Sequence, residues 1–413
     1  MFFRRLFRVK AHILAFFLLG LVQAHLWSLP IVASLQKTSV AVVSNPRSPI
    51  PRAGKRKRIA FKEELRIGQR EGDENYMFGS IIFVNADEDG NLYVTDWDKK
   101  RILKYDATGN YLLTIGREGQ GPGELLSPTV VRFDNEGNLY VTDLSNRRIS
   151  FFNKQGSYLR QILVPAVYED LYITAKGSFL SSQTVPIQSK SGVAFKVIDG
   201  VFNNKFELET ELSAREVISK APSGTGSSAM ARYLAAILSE TAFQPTARHF
   251  LAGDGTIYFG SSKDYAIDVF SPDGQKAMTI RRVYDPIKVL DKDKEYFAAT
   301  VARPLLTRPG RTTSENEVRE ILGYIEYPKY KPAYQSFSVL QNGWLVVIAD
   351  VVAREYSLFD IFDKNGRYIG QFKADFIAEQ GLYLFKNEKA YAVETDEEGY
   401  KFVKRYGMEI ANY

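Results

Sequence analysis

Between residues 81 and 163 short apolar runs alternate with polar turns at a fixed interval. Gly90-Asn91-Leu92-Tyr93-Val94-Thr95-Asp96 recurs unchanged as Gly137-Asn138-Leu139-Tyr140-Val141-Thr142-Asp143, 47 positions later. The match continues at that spacing through Arg101-Ile102 and Arg148-Ile149, Gly109 and Gly156, and Tyr111-Leu112 and Tyr158-Leu159. The Leu/Tyr/Val alternation predicts a half-buried strand. Asp89-Gly90-Asn91 and Glu136-Gly137-Asn138 are tight turns, where Gly and Asn tolerate positive φ. Ile81–Asn85 and Val130–Phe133 precede those turns, and Ile102–Asp106 and Ile149–Asn153 follow the repeated strand. Tyr111–Ile115 and Tyr158–Leu163 close each unit. Four strands in one such period are the blade of a β-propeller.

Looser copies follow. Arg248–Ile280 repeats the plan with turns at Asp254-Gly255 and Asp273-Gly274, and Phe337–Phe372 with turns at Asn342-Gly343 and Asn365-Gly366. Leu171–Leu212 is a third copy, turning at Lys176-Gly177. Leu382–Ile410 holds three strands, and Arg58–Gly68 supplies a fourth: it ends in Ile67-Gly68, as the unit before the second repeat ends in Ile115-Gly116. A propeller that takes its last strand from the N-terminus closes its ring and leaves no open edge there. Six blades of roughly 45 residues need about 270. Segments 214–246 and 284–335 supply most of the rest as insertions. Both read as helical: Ala229–Leu238 is rich in Ala and Leu, and Ser314-Glu315-Asn316-Glu317 is a capping box opening a helix through Tyr324. The expected fold is all-β: a six-bladed β-propeller of four-stranded antiparallel blades, closed by an N-terminal strand, with two helical insertions on one face.

Charge divides the chain. Residues 1–58 hold eleven Lys and Arg and no acidic residue, which leaves 43 basic against 48 acidic residues, a net charge of −5, for 59–413. The overall +6 therefore gives no basic face to the propeller, and nucleic acid is not an expected partner. Met1–Lys10 is basic, Ile13–Val22 apolar, and Val22-Gln23-Ala24 offers small residues for cleavage, the layout of a secretory signal peptide over 1–24. The alternative is a retained anchor reaching to about residue 35, interrupted by His12, Gln23, His25, Ser28 and Pro30. Both readings export residues 59–413, to the periplasm or outside the cell, and membrane contact is expected only through an uncleaved N-terminal segment. Residues 25–58, with Pro46, Pro49, Pro51 and Lys55-Arg56-Lys57-Arg58, read as a basic flexible linker.

Asp143-Leu144-Ser145-Asn146-Arg147-Arg148-Ile149 resembles the core of the NHL repeat, and Asp96-Trp97-Asp98-Lys99-Lys100-Arg101-Ile102 is a weaker copy. Gly116-Arg117-Glu118-Gly119-Gln120-Gly121-Pro122-Gly123-Glu124-Leu125 is similar to the connector of bacterial NHL-like six-bladed propellers. The resemblance implies the architecture. The family includes protein-binding, RNA-binding and a few lyase or lactonase-like members, so it does not settle function. Asp96 and Asp143, at strand ends, are expected to hold loop amides.

Chemistry-bearing residues are few. Cysteine is absent, which removes disulfides, thiolate metal sites and cysteine nucleophiles. Residues 59–413 contain one histidine, His249, expected to be a packed residue at the start of an inner strand. Carboxylates in the channel could hold Ca²⁺ in a lactonase-like or sugar-acting enzyme, but Asp87 and Asp134 sit where Asp starts a turn. Gly119–Gly123 lacks the Lys-Ser/Thr of a phosphate loop and reads as a connector. No cofactor is expected.

Both insertions fall at links between blades and should stand side by side on one face, where loops on a rigid scaffold carry binding residues. The second ends in a tyrosine-rich segment with Tyr324, Tyr327, Tyr330 and Tyr334, rings suited to sugars or peptides. Trp97, Lys100, Arg101, Asn146, Arg147 and Arg148 should lie on the same face. The expectation is an exported scaffold, not an enzyme, binding a protein, peptide or cell-envelope glycan there.

Overall fold

The computed structural model describes residues 40–49, 57–188, 192–220, 226–307, 313–352, 355–376 and 383–412. Apart from Val40 these all belong to one compact unit, Ala41–Tyr413. The signal peptide or anchor expected over 1–24 or to about 35 lies outside the described residues.

Strands β1 (Ala41–Asn45) and β2 (Lys57–Ile67) precede the first blade. Blade one is β3 (Ile81–Ala86), β4 (Leu92–Asp96), β5 (Arg101–Tyr105) and β6 (Tyr111–Ile115). Blade two is β7 (Pro128–Phe133), β8 (Leu139–Asp143), β9 (Arg148–Phe152) and β10 (Tyr158–Leu163). Blade three is β11 (Val167–Ile173), β12 (Phe179–Ile187), β13 (Gly192–Phe202) and β14 (Leu208–Lys220), and blade four β15 (Ala247–Leu251), β16 (Ile257–Ser261), β17 (Ala266–Phe270) and β18 (Lys276–Arg282). Blade five is β19 (Ser336–Val339), β20 (Leu345–Val352), β21 (Tyr356–Phe362) and β22 (Tyr368–Ala374). Blade six is β23 (Tyr383–Lys386), β24 (Lys389–Thr395), β25 (Lys401–Asn412) and, as its outer strand, β2. β2 runs antiparallel to β25 from Lys57↔Asn412 to Ile67↔Val403, so the N-terminal strand closes the ring as expected.

The first strand of each blade is innermost. β3 meets β7, β7 meets β11, β15 meets β19, β19 meets β23, and β23 returns to β3. The hydrophobic core is accordingly six interfaces between neighbouring blades. Tyr93, Ile102 and Ile115 of blade one, for example, pack on Val131, Val141 and Phe152 of blade two. This corrects one expectation. The repeated Leu-Tyr-Val-Thr-Asp strand is buried at all five positions in both copies, not at alternate ones. Each blade is sandwiched, so both faces of its second strand meet protein. Gly116 marks where blade one hands over to the connector: at φ +76° a Cβ there would sit 2.4 Å from Leu125 Cδ1.

Two boundaries differ from the sequence reading. β1, inside the segment read as linker, adds in parallel to the outer edge of blade four, from Ala41↔Met278 to Asn45↔Arg282. Its five residues have no repeat to betray them, but an outer edge offers unpaired backbone groups to any apolar segment that reaches it. Asn45 is buried and ties blade four to blade five: its Nδ2 donates to Arg281 O (3.0 Å) and Gly366 O (2.9 Å), and its Oδ1 accepts from Tyr368 N (2.7 Å). The first insertion starts later than residue 214, because β14 continues to Lys220 against β13.

The insertions carry α1 (Ser227–Ser239), α2 (Asp291–Phe297), a π-helical turn (Ala298–Ala302), α3 (Arg303–Leu306) and α4 (Glu315–Gly323). Ser314 caps α4, with Ser314 Oγ accepting from Glu317 N and Glu317 Oε2 from Ser314 N. The helices share an apolar cluster of their own, in which Ala235 and Leu238 meet Phe297, Leu306, Val318 and Ile321. Lys331 fastens them to blade five: its Nζ lies 2.8 Å from Asp293 Oδ1 on α2 and 3.1 Å from Asp350 Oδ1 on β20, all three buried. Among the described residues no helix is long and apolar enough to cross a membrane.

Candidate functional site

Inter-blade links and second-to-third-strand turns lie at one end of the channel, the insertion face. First-to-second and third-to-fourth turns lie at the other, the turn face. The ten residues singled out in the sequence belong to the insertion face but do not converge. Arg148 is buried and donates to Gln120 O, Gly121 O, Glu124 O and Gln161 Oε1 at 2.7–3.1 Å. Asn146 Nδ2 donates to Gly119 O (3.0 Å), and Asp143 accepts from Leu126 N and Ser127 N. The Asp-Asn-Arg motif is thus a clamp on the connector between blades one and two. Asp96 and Arg101 repeat it more loosely, through Gly79 N and Glu74 O. Burial pushes the Asp96 carboxyl up against the opposing pull of Arg101.

The others have local partners. Lys100 Nζ donates to Trp97 O and sits 4.3 Å over the Trp97 ring, while Arg147 Nη2 donates to Pro165 O. Tyr334 is wholly buried against Tyr265 and Phe337, and Tyr327 packs on Phe243 and Phe297. Arg148 and Tyr334 are therefore structural rather than ligand-facing. Tyr324 and Tyr330, each 41% exposed, remain accessible.

A cavity of about 740 Å³ opens on the opposite, turn face at the mouth of the channel. None of the ten residues lines it. Its rim is made of the turns after the inner strands, at Asp134-Asn135, Ala175-Lys176, Gly253-Asp254-Gly255 and Gln341. Arg132, Tyr140, Tyr172, Phe250 and Phe385 line it more deeply.

A β-bulge shapes the deep end. The β11–β12 register shifts between Glu169 and Tyr172, and Asp170 stands at φ +50°, strained for a residue other than glycine. Three blades hold this bulge. Ser181 Oγ of its own blade donates to Glu169 O (2.6 Å). From blade two, Arg132 Nε donates to Leu171 O (3.2 Å), Arg132 Nη2 bonds the Asp170 carboxylate, and Ile173 N donates to Tyr140 Oη (3.1 Å). From blade four, His249 Nε2 lies 2.8 Å from Asp170 O. A bulge so over-determined aims the Asp170 carboxylate at Arg132 on the neighbouring inner strand. Its side chain is 41% exposed.

Arg132 is stacked 3.5 Å over the Tyr172 ring and 5.2 Å over that of Phe83. Burial alone would raise the Asp170 carboxyl, but Arg132, with His249 and Arg248, holds it below the ordinary carboxylate range. The pair is ionised at neutral pH. Burial pushes the Tyr140 hydroxyl up to about 12 and raises that of Tyr172 further, so both stay protonated hydrogen-bonding groups.

Carboxylates at the rim serve their own turns. Asp134 accepts from Asn138 N and Glu136 N, and Asp87 from Asn91 N and Asn91 Nδ2. Among the described residues no three His, Asp or Glu side chains come together as metal ligands would. Sequence reasoning missed Arg132, Asp170 and Tyr172. The available signal was charge inside two apolar inner strands, Arg132 in Pro128–Phe133 and the Glu169-Asp170 pair in Val167–Ile173, where a packed blade leaves little but the channel for a charge to face.

A family model described as "DUF5128: 6-bladed beta-propeller" matches residues 71–244. None of the curated proteins matches the chain. Among solved structures, one similar to this chain is a protein described as exported from Bacteroides fragilis, at 12% identity and TM-score 0.52, covering 89% of this chain and 100% of that one. A DUF4221 member from Bacteroides vulgatus aligns at 11% identity and TM-score 0.48, covering 86% and 99%. A gluconolactonase from Xanthomonas campestris aligns at 10% identity and TM-score 0.41, covering 80% and 88%. The Bacteroides fragilis likeness speaks to the fold alone, and with the family match and the sheet topology it makes this chain a six-bladed β-propeller.

Proposed function

We propose that this protein is an exported binding propeller of NHL-like type, taking its ligand at the channel mouth on the turn face. The observation that carries the reading is the cavity of about 740 Å³, lined by Arg132, Tyr140 and Tyr172, side chains that meet a strained bulge held by three blades. Its size is that of a small-ligand site. Aromatic side chains beside a fixed ion pair suit the end of a peptide or protein loop, or a segment of a cell-envelope glycan. The basic start and apolar run of residues 1–24 support export to the periplasm or the cell exterior, with the N-terminal segment cleaved or kept as an anchor. The engagement of His249 with backbone and of the rim carboxylates with their own turns supports binding without turnover.

The test is capture from a cell-envelope extract by the purified protein and two variants. Ala175→Trp plugs the rim at an exposed turn position that lines the cavity, and should abolish capture. Tyr324→Ala with Tyr330→Ala alters the insertion face and should leave it intact. The reverse pattern would move the site to the insertion face.

A further inference from the structure

This inference rests on the channel-mouth reading and names the chemistry of the ligand. Arg132 spends two of its three nitrogens on the protein, Nε on Leu171 O and Nη2 on Asp170. Among the described residues Nη1 meets no second carboxylate or carbonyl, only the stacked Tyr172 ring with its hydroxyl, on a side chain that lines the cavity and is 14% exposed. Stacking between Phe83 and Tyr172 fixes the guanidinium plane, so a further bond to it loses little side-chain entropy.

The surrounding charge is divided by depth. Near the bulge, Arg248 acts on Asp170 alongside Arg132, whereas Lys386, 5.5 Å over the Phe133 ring, is paired with Glu88. At the rim Asp134, Glu209, Asp254 and Asp273 outnumber Lys176. A ligand anionic along its length would be repelled on entry. A single carboxylate carried in on a neutral body meets, at depth, the guanidinium of Arg132. We infer that the channel binds a small ligand through one carboxylate, which accepts N–H groups from Arg132 Nη1.

Two matched probe pairs test this by calorimetric titration of the full chain: methyl glucuronoside against methyl glucoside, and an acetylated tripeptide with a free against an amidated C-terminus. The expected result is binding by the carboxylate member of one pair only, and the pair that binds identifies a sugar or a peptide source. Arg132→Gln should weaken that binding by at least about tenfold, the scale of one charge-assisted hydrogen bond. Arg132→Gln combined with Asp170→Asn leaves no unpaired buried charge, so the variant stays folded, its midpoint lowered only by the lost Leu171 carbonyl bond and ring stacking, while binding is lost. Equal binding of both members of a pair, or parental affinity in the double variant, overturns the carboxylate reading and leaves the channel reading standing. Absence of binding by every probe also overturns it, and the Ala175→Trp capture result then decides the channel reading by itself.

Discussion

His249 Nε2 lies 2.8 Å from the carbonyl oxygen of Asp170, so blade four braces the one strained bulge in the inner strand of blade three. A carbonyl only accepts, so Nε2 carries the proton. The ring edge also meets Tyr172, 5.9 Å between centroids. His249→Phe keeps the packing but leaves the Asp170 carbonyl unpaired. It should cost about 1–3 kcal/mol, the penalty for a buried unsatisfied acceptor, read as a lower denaturant midpoint, and should weaken ligand binding at Arg132 in parallel.

The Lys331 triad separates two effects of buried charge. Lys331→Met strands Asp293 and Asp350 together and should cost about 3–5 kcal/mol. Asp350→Asn keeps one lysine–carboxylate pair and an acceptor, and should cost less than about 1.5 kcal/mol. The comparison of chemical unfolding curves decides whether the triad fastens the helical insertion.

The same carboxyl makes a prediction about pH. Burial holds Asp350 above the ordinary carboxylate range, against the opposing pull of Lys331. The folded form therefore takes up a proton before the unfolded one. Its contribution is complete below the unfolded pKa and is lost as pH rises through the folded pKa. Asp350→Asn should remove that component, so variant and parent converge in stability towards neutral pH and diverge in the parent's favour on acidification. Unfolding midpoints measured from pH 7 down to pH 4 test the sign.

Asn45 joins β1 to two blades by three hydrogen bonds, two of them between partners more than 300 positions apart. Asn45→Ala should cost about 2–3 kcal/mol through the unpaired Gly366 carbonyl and Tyr368 amide. Hydrogen exchange should show the added opening at the outer edges of blades four and five.

If channel carboxylates held a structural calcium ion, its removal would lower the unfolding midpoint. The turn-bound state of Asp87 and Asp134 leads to the opposite expectation: calcium and EDTA each leave the midpoint unchanged within about 1 °C.

How much of this could be read in advance depends on the range of the interaction. The blade was legible because its signals are local: Gly90 and Gly137 take positive φ in tight turns, and Ser314 and Glu317 cap a helix three residues apart. Ring closure by Ile67-Gly68 was legible because the N-terminal strand copies the ending of a repeat. The clamp role of Asp143 followed from its place at a strand end. The sequence by itself thus determined the repeat, the strands, the turns and the closure. Tertiary structure alone decided which side chains face the channel. A bulge flips side-chain alternation at one position of β11, and nothing local to Glu169 or Asp170 announces it. The cavity then needs Arg132, Tyr172 and Phe250 from three blades, brought together only when the ring closes. The placement of β1 was decided the same way, by an unpaired blade edge far from it in sequence.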